Sequence, residues 1–138
     1  MRIFLGANIL FSAAYSEAAI RRLIKDLKSA SCSLVADRYV FEEALRNLTI
    51  QRSEAIPQLH ELAGLLTIVP THISSRKIPP DINLPDKDIP VLASAIEAGC
   101  DILMTGDTRH FSALFGRSIG GLSIRSPVDT AKYILGNH

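Results

Sequence analysis

Short apolar runs alternate with longer stretches of helical spacing along the chain. Ile3, Phe4 and Leu5 form the first run and read as a short buried strand that stops at Gly6. Residues 8–15 are largely apolar and predict a helix, and Ser16 and Glu17 open a second helical segment. In that segment Ile20, Leu23, Ile24 and Leu27 recur at helical spacing, with Arg21, Arg22, Lys25 and Lys28 on the other faces. A Ser-Ala-Ser cluster at 29–31 closes it, and residues 33–36 read as a second strand. Asp37 is placed to cap a helix that carries Val40, Phe41, Ala44, Leu45 and Leu48 on one face. A further helix is expected over 53–63 with Gly64 as its stop, followed by the strongest strand pattern of the middle of the chain at 65–69.

Residues 71–85 hold three of the seven prolines and little periodicity, so they read as an extended loop. A helix then begins near Asp86 or Asp88. Pro90 constrains that start, because proline is tolerated in the first turn, where its missing N–H has no intrahelical partner. Val91, Leu92, Ala95, Ile96 and Ala98 follow, and Gly99 ends the helix. Ile102, Leu103 and Met104 form a fourth buried run ending at Thr105-Gly106-Asp107, residues 122–124 are a weak fifth, and Ser126-Pro127 starts a last helix through Ala131, Tyr133 and Ile134. Strands alternating with helices imply βαβ units and a parallel sheet buried on both faces.

Composition narrows this picture. The 138 residues suit one domain, and 47% hydrophobic content with no Trp suits a core of Leu, Ile, Val and Ala. A net charge of +1 argues against a strongly electrostatic polyanion binder, but a local basic patch beside carboxylates would be hidden in that total. Cys32 and Cys100 stand apart in apolar stretches, as buried free thiols of a reducing compartment do. No signal-peptide pattern opens the chain and no run approaches the roughly 20 apolar residues of a membrane span, so a cytoplasmic location is expected.

In an open parallel sheet, ligands bind beyond the carboxyl ends of the strands. Two loops qualify: Gly6-Ala7-Asn8 after the first strand and Thr105-Gly106-Asp107 after the fourth. Helices opening into the same crevice add Asp88, with Asp86 nearby, and Glu42 or Glu43. Converging carboxylates repel one another unless a cation bridges them, and hard divalent ions prefer oxygen ligands. Such an ion can activate water against a phosphodiester. Each acidic helix start also has a plain reading, since Asp there favours the helix dipole with no metal present. No G-x-G-x-x-G follows the first strand, and no Walker-type GK[ST] or G-x-S-x-G occurs, so nucleotide binding and serine-nucleophile chemistry lack support.

Three segments resemble PIN-type ribonucleases. Residues 3–10 (IFLGANIL) resemble the family's apolar strand followed by Asp-x-Asn. Residues 43–48 (EALRNL) resemble the helix that begins with its metal-binding glutamate, and residues 88–111 (DIPVLASAIEAGCDILMTGDTRHF) resemble its longest block. The resemblance covers nearly the whole chain and is similar to that of the toxins of bacterial toxin–antitoxin pairs. It implies a doubly wound three-layer α/β/α domain over residues 1–138, with a central, mostly parallel sheet of about five short strands. It also implies Mg²⁺ or Mn²⁺ as cofactor, RNA as substrate, metal-assisted hydrolysis by water, an antitoxin partner and homodimers.

Carried over by position, the family's acidic set falls on Gly6, Glu43, Asp88 and Asp107. Glu43 is preferred to Glu42 because Arg46 and Leu48 then fall in the family's spacing. Gly6 stands where the family has Asp, which removes one oxygen donor and one negative charge and puts activity in doubt. Asn8 and Thr105 are expected to support the site, Asn8 by holding its loop and Thr105 by orienting water. Arg46 and Arg109, with His110, are candidates for phosphate contacts, each having a solvated-surface alternative. Asp101 is expected at the opposite end of the fourth strand in a capping or surface role, and His60, His72 and His138 carry no assignment. The leading expectation is a nuclease scaffold impaired at one ligand, and the alternative is a silent PIN-like module that binds RNA or protein.

Overall fold

The computed structural model describes residues 1–15 and 18–136. The expected opening of the second helix at Ser16 and Glu17, and His138, therefore lie outside the described residues. Six strands form one sheet: β1 (Arg2–Leu5), β2 (Ser33–Asp37), β3 (Thr67–Val69), β4 (Ile102–Met104), β5 (Ser118–Ile119) and β6 (Leu122–Arg125), in spatial order β3-β2-β1-β4-β6-β5. All pairings are parallel except β5 with β6. The helices are α1 (Ala7–Tyr15), α2 (Ala18–Ser29), α3 (Arg38–Gln51), α4 (Ile56–Ala63), α5 (Ile89–Glu97), α6 (Thr108–Phe111) and α7 (Pro127–Leu135). They cover the sheet to make three α/β/α layers, with α1 packed on α3 and α4, and α2 on α7. β1 and β4 lie at the centre, and Ile3, Phe4, Leu5, Ile102, Leu103 and Met104 are all essentially inaccessible to water.

Several elements follow directly from local chemistry. Asp37 caps α3 by accepting from the Val40 N–H at 3.0 Å, and Ser126 caps α7 by accepting from the Asp129 N–H at 3.1 Å. The 71–85 segment is indeed a loop. It is pinned to α5, where the His72 N–H donates to Ser94 Oγ at 2.8 Å and the Ser75 hydroxyl donates to Glu97 Oε2 at 2.7 Å. Cys32 and Cys100 are free and buried, and burial, with a smaller push from Asp101, moves the Cys100 thiol up to about 11. No helix among the described residues is long and apolar enough to cross a membrane.

Two expected elements need correction. The helix expected over 53–63 is a 3-10 turn, Ser53–Ala55, followed by α4, because Pro57 is confined to the first turn of the α-helix. The strand expected over 65–69 begins only at Thr67. The Leu65 and Leu66 amides are already committed, donating to the Leu62 and Ala63 carbonyls that close α4. The expected sheet of about five strands carries one short strand more, six in all, since β5 and β6 form a hairpin across Gly120-Gly121 (φ 58° and 85°). That Gly-Gly pair is a hairpin signal in the sequence, because a two-residue turn with positive φ at both positions, as here, favours glycine at each. Finally, residues 108–111, to which no element was assigned, form the short α6.

Candidate functional site

Strand order reverses between β1 and β4: the chain runs outward through β2 and β3 on one side and through β6 on the other. This is the topological switch point, where a crevice opens beyond the strand ends. Leu5 pairs with Met104, so the two following residues, Gly6 and Thr105, emerge side by side, and the Gly6 N–H donates to the Met104 carbonyl at 3.0 Å. The Gly6 carbonyl accepts the first bonds of α1, from the Ile9 and Leu10 amides.

The loops above these strands are held by side chains. Asn8 Nδ2 donates to Thr105 Oγ1 at 3.2 Å, and Asn8 Oδ1 accepts from the Gly106 N–H at 2.8 Å. Thr105 Oγ1 also accepts from the Asp107 N–H at 3.0 Å, which leaves the hydroxyl hydrogen free to donate. Asn8 and Thr105 thus lock the two loops together, and Thr105 is buried. Asp107 caps α6, its Oδ1 accepting from the His110 N–H at 3.0 Å, and its Oδ2 is turned toward the His110 ring.

Gly6, Glu43, Asp88 and Asp107 line one small cavity of about 60 Å³, together with Asn8 and Thr105. Glu43 projects from α3, whose buried stripe of Val40, Ala44 and Leu48 turns Tyr39, Glu43 and Asn47 together along a neighbouring face. Glu42 points elsewhere: it pairs with Arg38 at 2.6 Å on the exposed surface. Asp88 sits at the N-cap position of α5 but makes no capping hydrogen bond, so its oxygens are not spent on the helix start. Asp101 lies at the amino end of β4, as expected, where its carboxylate accepts from the Arg2 N–H at 2.8 Å. Arg46 and Arg109 are both exposed and outside the cavity lining.

Two residues enter the site without having been given a place there by sequence reasoning. Lys87 lines the cavity, and its carbonyl accepts from the Tyr39 hydroxyl at 2.7 Å, which ties the start of α5 to α3. His110 had been considered only for phosphate contacts. Its Nδ1 lies 2.8 Å from Asp88 Oδ2 and 3.0 Å from Asp107 Oδ2. The i, i+3 spacing of Asp107 and His110 was the available signal, but it has meaning only once Thr108 is known to begin a helix.

Burial pushes the Asp88 carboxyl above its ordinary range, and the charge of Asp107 adds to that, while His110 and Lys87 pull the other way. The Tyr39 phenol is also raised, by burial first and then by the negative charges of Glu43 and Asp88. Both shifts express one condition, negative charge gathered where water is scarce. Although Asp88 Oδ2 and His110 Nδ1 are in contact, the ring N–H is not aligned with either carboxylate, and both atoms are buried without a hydrogen bond. Polar atoms left in this state are costly unless another group completes them. One ligand atom each from Asp88, Asp107 and His110 falls within 4.8 Å of the others, a spacing that a single cation can bridge. The residues present therefore fit a divalent ion.

Beside this cavity an open hollow of about 310 Å³ continues between α1 and α3, lined by Phe11, Asn47 and Gln51 as well as Glu43 and Asp107. A separate groove of about 270 Å³ between α2 and α4 contains Arg21, Lys25 and Glu61 but no converging carboxylates.

The central, mostly parallel sheet with helices on both faces is the three-layer α/β/α architecture that was expected. The structure is similar to a chain of VapBC2 from Rickettsia felis, solved bound to a DNA fragment from its promoter, with a TM-score of 0.67 and 16% identity over 91% of this chain and 98% of that one. It is also similar to a chain of VapBC-1 from nontypeable Haemophilus influenzae, with a TM-score of 0.61 and 12% identity over 93% of this chain and 99% of that one. At these identities the likeness is one of fold. No protein-family model matches the chain, and no curated protein sequence does.

Proposed function

We propose that this chain is a PIN-type, metal-dependent endoribonuclease scaffold of the toxin kind, weakened because Gly6 stands where the first acidic ligand is expected. The observation that carries this reading is the convergence of Glu43, Asp88 and Asp107 with Gly6 on one cavity at the switch point of the sheet. Glu43, Asp88 and Asp107 would hold Mg²⁺ or Mn²⁺. When bound, such an ion neutralises the carboxylates and stabilises the charge that develops on a phosphodiester under attack by water.

The chain's own residues supply the rest. Asn8 and Thr105 hold the two loops at a fixed separation, and the free Thr105 hydroxyl hydrogen can orient a water in the cavity. Lys87 adds positive charge at the cavity wall for a phosphate. Arg46 and Arg109, exposed nearby in sequence to Glu43 and Asp107, would engage the RNA backbone further out. The hollow along Asn47 and Gln51 offers room for a strand of RNA entering the site. An antitoxin is the partner proposed, by analogy with the VapBC assemblies of similar fold, with homodimers and a cytoplasmic setting expected from the same kinship.

RNA cleavage with Mn²⁺ or Mg²⁺ tests this, comparing the chain with Gly6→Asp and Asp107→Asn. The substitution at position 6 is sterically mild: a Cβ there would meet only Met104 O at 3.4 Å and Thr105 at 3.6 Å, and the backbone does not require glycine. Cleavage by Gly6→Asp alone is the expected outcome. Cleavage by the unaltered chain would mean that three carboxylates suffice. No cleavage by either, over several varied RNAs, would favour a silent PIN-like binding module.

A further inference from the structure

We propose that His110 is a nitrogen ligand of the divalent ion, restoring the donor count lost at position 6 and shifting the site's preference from Mg²⁺ toward transition ions such as Mn²⁺. The inference rests on the metal reading above and adds to it a residue and a selectivity. Its basis is geometric. His110 Nδ1 lies 2.8 Å and 3.0 Å from the nearest oxygens of Asp88 and Asp107, yet is aligned to hydrogen-bond neither. Adjacent donors around an octahedral ion with bonds of about 2.1 Å sit roughly 3 Å apart, so these spacings match the edges of a coordination shell. If Nδ1 carries a hydrogen, that hydrogen is poorly used. If it carries a lone pair, that pair faces two carboxylates and is repelled. A cation among the three atoms resolves both cases.

The fold supplies the placement. Asp107 caps α6, so His110 rises one turn later on the same face, and its ring is directed back at Asp107 and across to Asp88. Neutral imidazole binds metal through either ring nitrogen. It suits transition ions, whereas Mg²⁺ strongly favours oxygen and retains its waters. His110 therefore replaces a donor atom but not the negative charge that Asp would have brought to position 6.

Electron spin echo spectra of bound Mn²⁺ read nitrogen coupling directly, and calorimetry of Mn²⁺ and Mg²⁺ binding reads the preference. Both are applied to the full chain and to its Gly6→Asp, His110→Asn and His110→Asp variants, with folding checked by circular dichroism. Expected are one coupled nitrogen that vanishes in His110→Asn, and a loss of Mn²⁺ affinity of at least about tenfold in that variant, on the scale seen when the surroundings of a metal site are disturbed. His110→Asp should strengthen Mg²⁺ binding and narrow the preference for Mn²⁺. Mn²⁺ bound without nitrogen coupling, or coupling that survives His110→Asn, would overturn this inference and leave the metal reading standing. Absence of Mn²⁺ binding in both the unaltered chain and Gly6→Asp would overturn the two together.

Discussion

Two aspartates at the starts of helices, Asp37 before α3 and Asp88 before α5, are placed alike in sequence and treated oppositely by the fold. Asp37 is wholly buried, and both of its oxygens are used. Oδ1 accepts from the Val40 N–H, and Oδ2 accepts from the Thr71 hydroxyl at 2.8 Å. Asp88 keeps 14% of its side chain exposed, caps nothing, and turns Oδ2 into a buried contact with no hydrogen bond. A carboxylate whose lone pairs are consumed by the chain holds the chain together. One whose lone pairs are left over, beside other carboxylates, is available to a ligand. The contrast separates architecture from function more sharply than burial or position does.

The largest effect expected from this contrast is metal-linked stability. Mn²⁺ at about one hundred times its dissociation constant should stabilise the chain by about 2.7 kcal/mol. The gain should be absent in Asp88→Asn and retained in any Asp37 variant that still folds, as read by thermal melts with and without the ion. A gain that survives Asp88→Asn would place the ion elsewhere. Next in size, Asp37→Ala should cost about 2 kcal/mol in urea unfolding, the upper range for loss of a helix cap. An unchanged midpoint would break the architectural half of the comparison.

A smaller effect separates the adjacent glutamates of α3. Glu43→Gln should weaken Mn²⁺ by about tenfold, or about 1.4 kcal/mol, whereas Glu42→Gln, which breaks only the exposed contact with Arg38, should change neither affinity nor melting temperature. Equal effects at the two positions would remove Glu43 from the site. The smallest effect is the pH dependence of the metal-free chain. Because the folded-state pKa of Asp88 lies above its ordinary value of 3.8, the folded state holds this proton more tightly than the unfolded chain does. That contribution is complete below 3.8 and is lost as pH rises through the raised value. Asp88→Asn should therefore melt slightly higher than the unaltered chain at neutral pH, with the advantage fading in acid. A melting temperature lowered by Asp88→Asn at neutral pH in chelator would show that Asp88 is structural after all.

The same contrast explains which parts of the molecule were legible in the chain. Helix caps and prolines act within a few residues, so Asp37, Ser126 and Pro90 disclosed their helices directly. Leu65 and Leu66 misled because an apolar run does not say where its amides will go, and here α4 claimed them. Glu42 and Glu43 could be ranked only by resemblance. The distinction depends on which of two neighbouring helix faces meets the sheet crevice, and packing decides that.

What the sequence by itself determined is most of the elements and their order, since periodicity, caps and turn residues operate at short range, while the short β5 and α6 escaped it. It also carried the candidate carboxylates Glu43, Asp88 and Asp107 and the glycine at position 6, because the motifs that the resemblance rests on are contiguous. Only the tertiary structure decided the strand order that makes β1 and β4 neighbours, and with it the meeting of Gly6, Glu43, Asp88 and Asp107 from four separate stretches of chain. It alone brought His110 against Asp88, 22 positions apart in sequence and 2.8 Å apart in space. The physical reason is that the geometry of the site is set within a few ångströms across elements that share no local signal, and only the packed sheet and helices hold those elements in register.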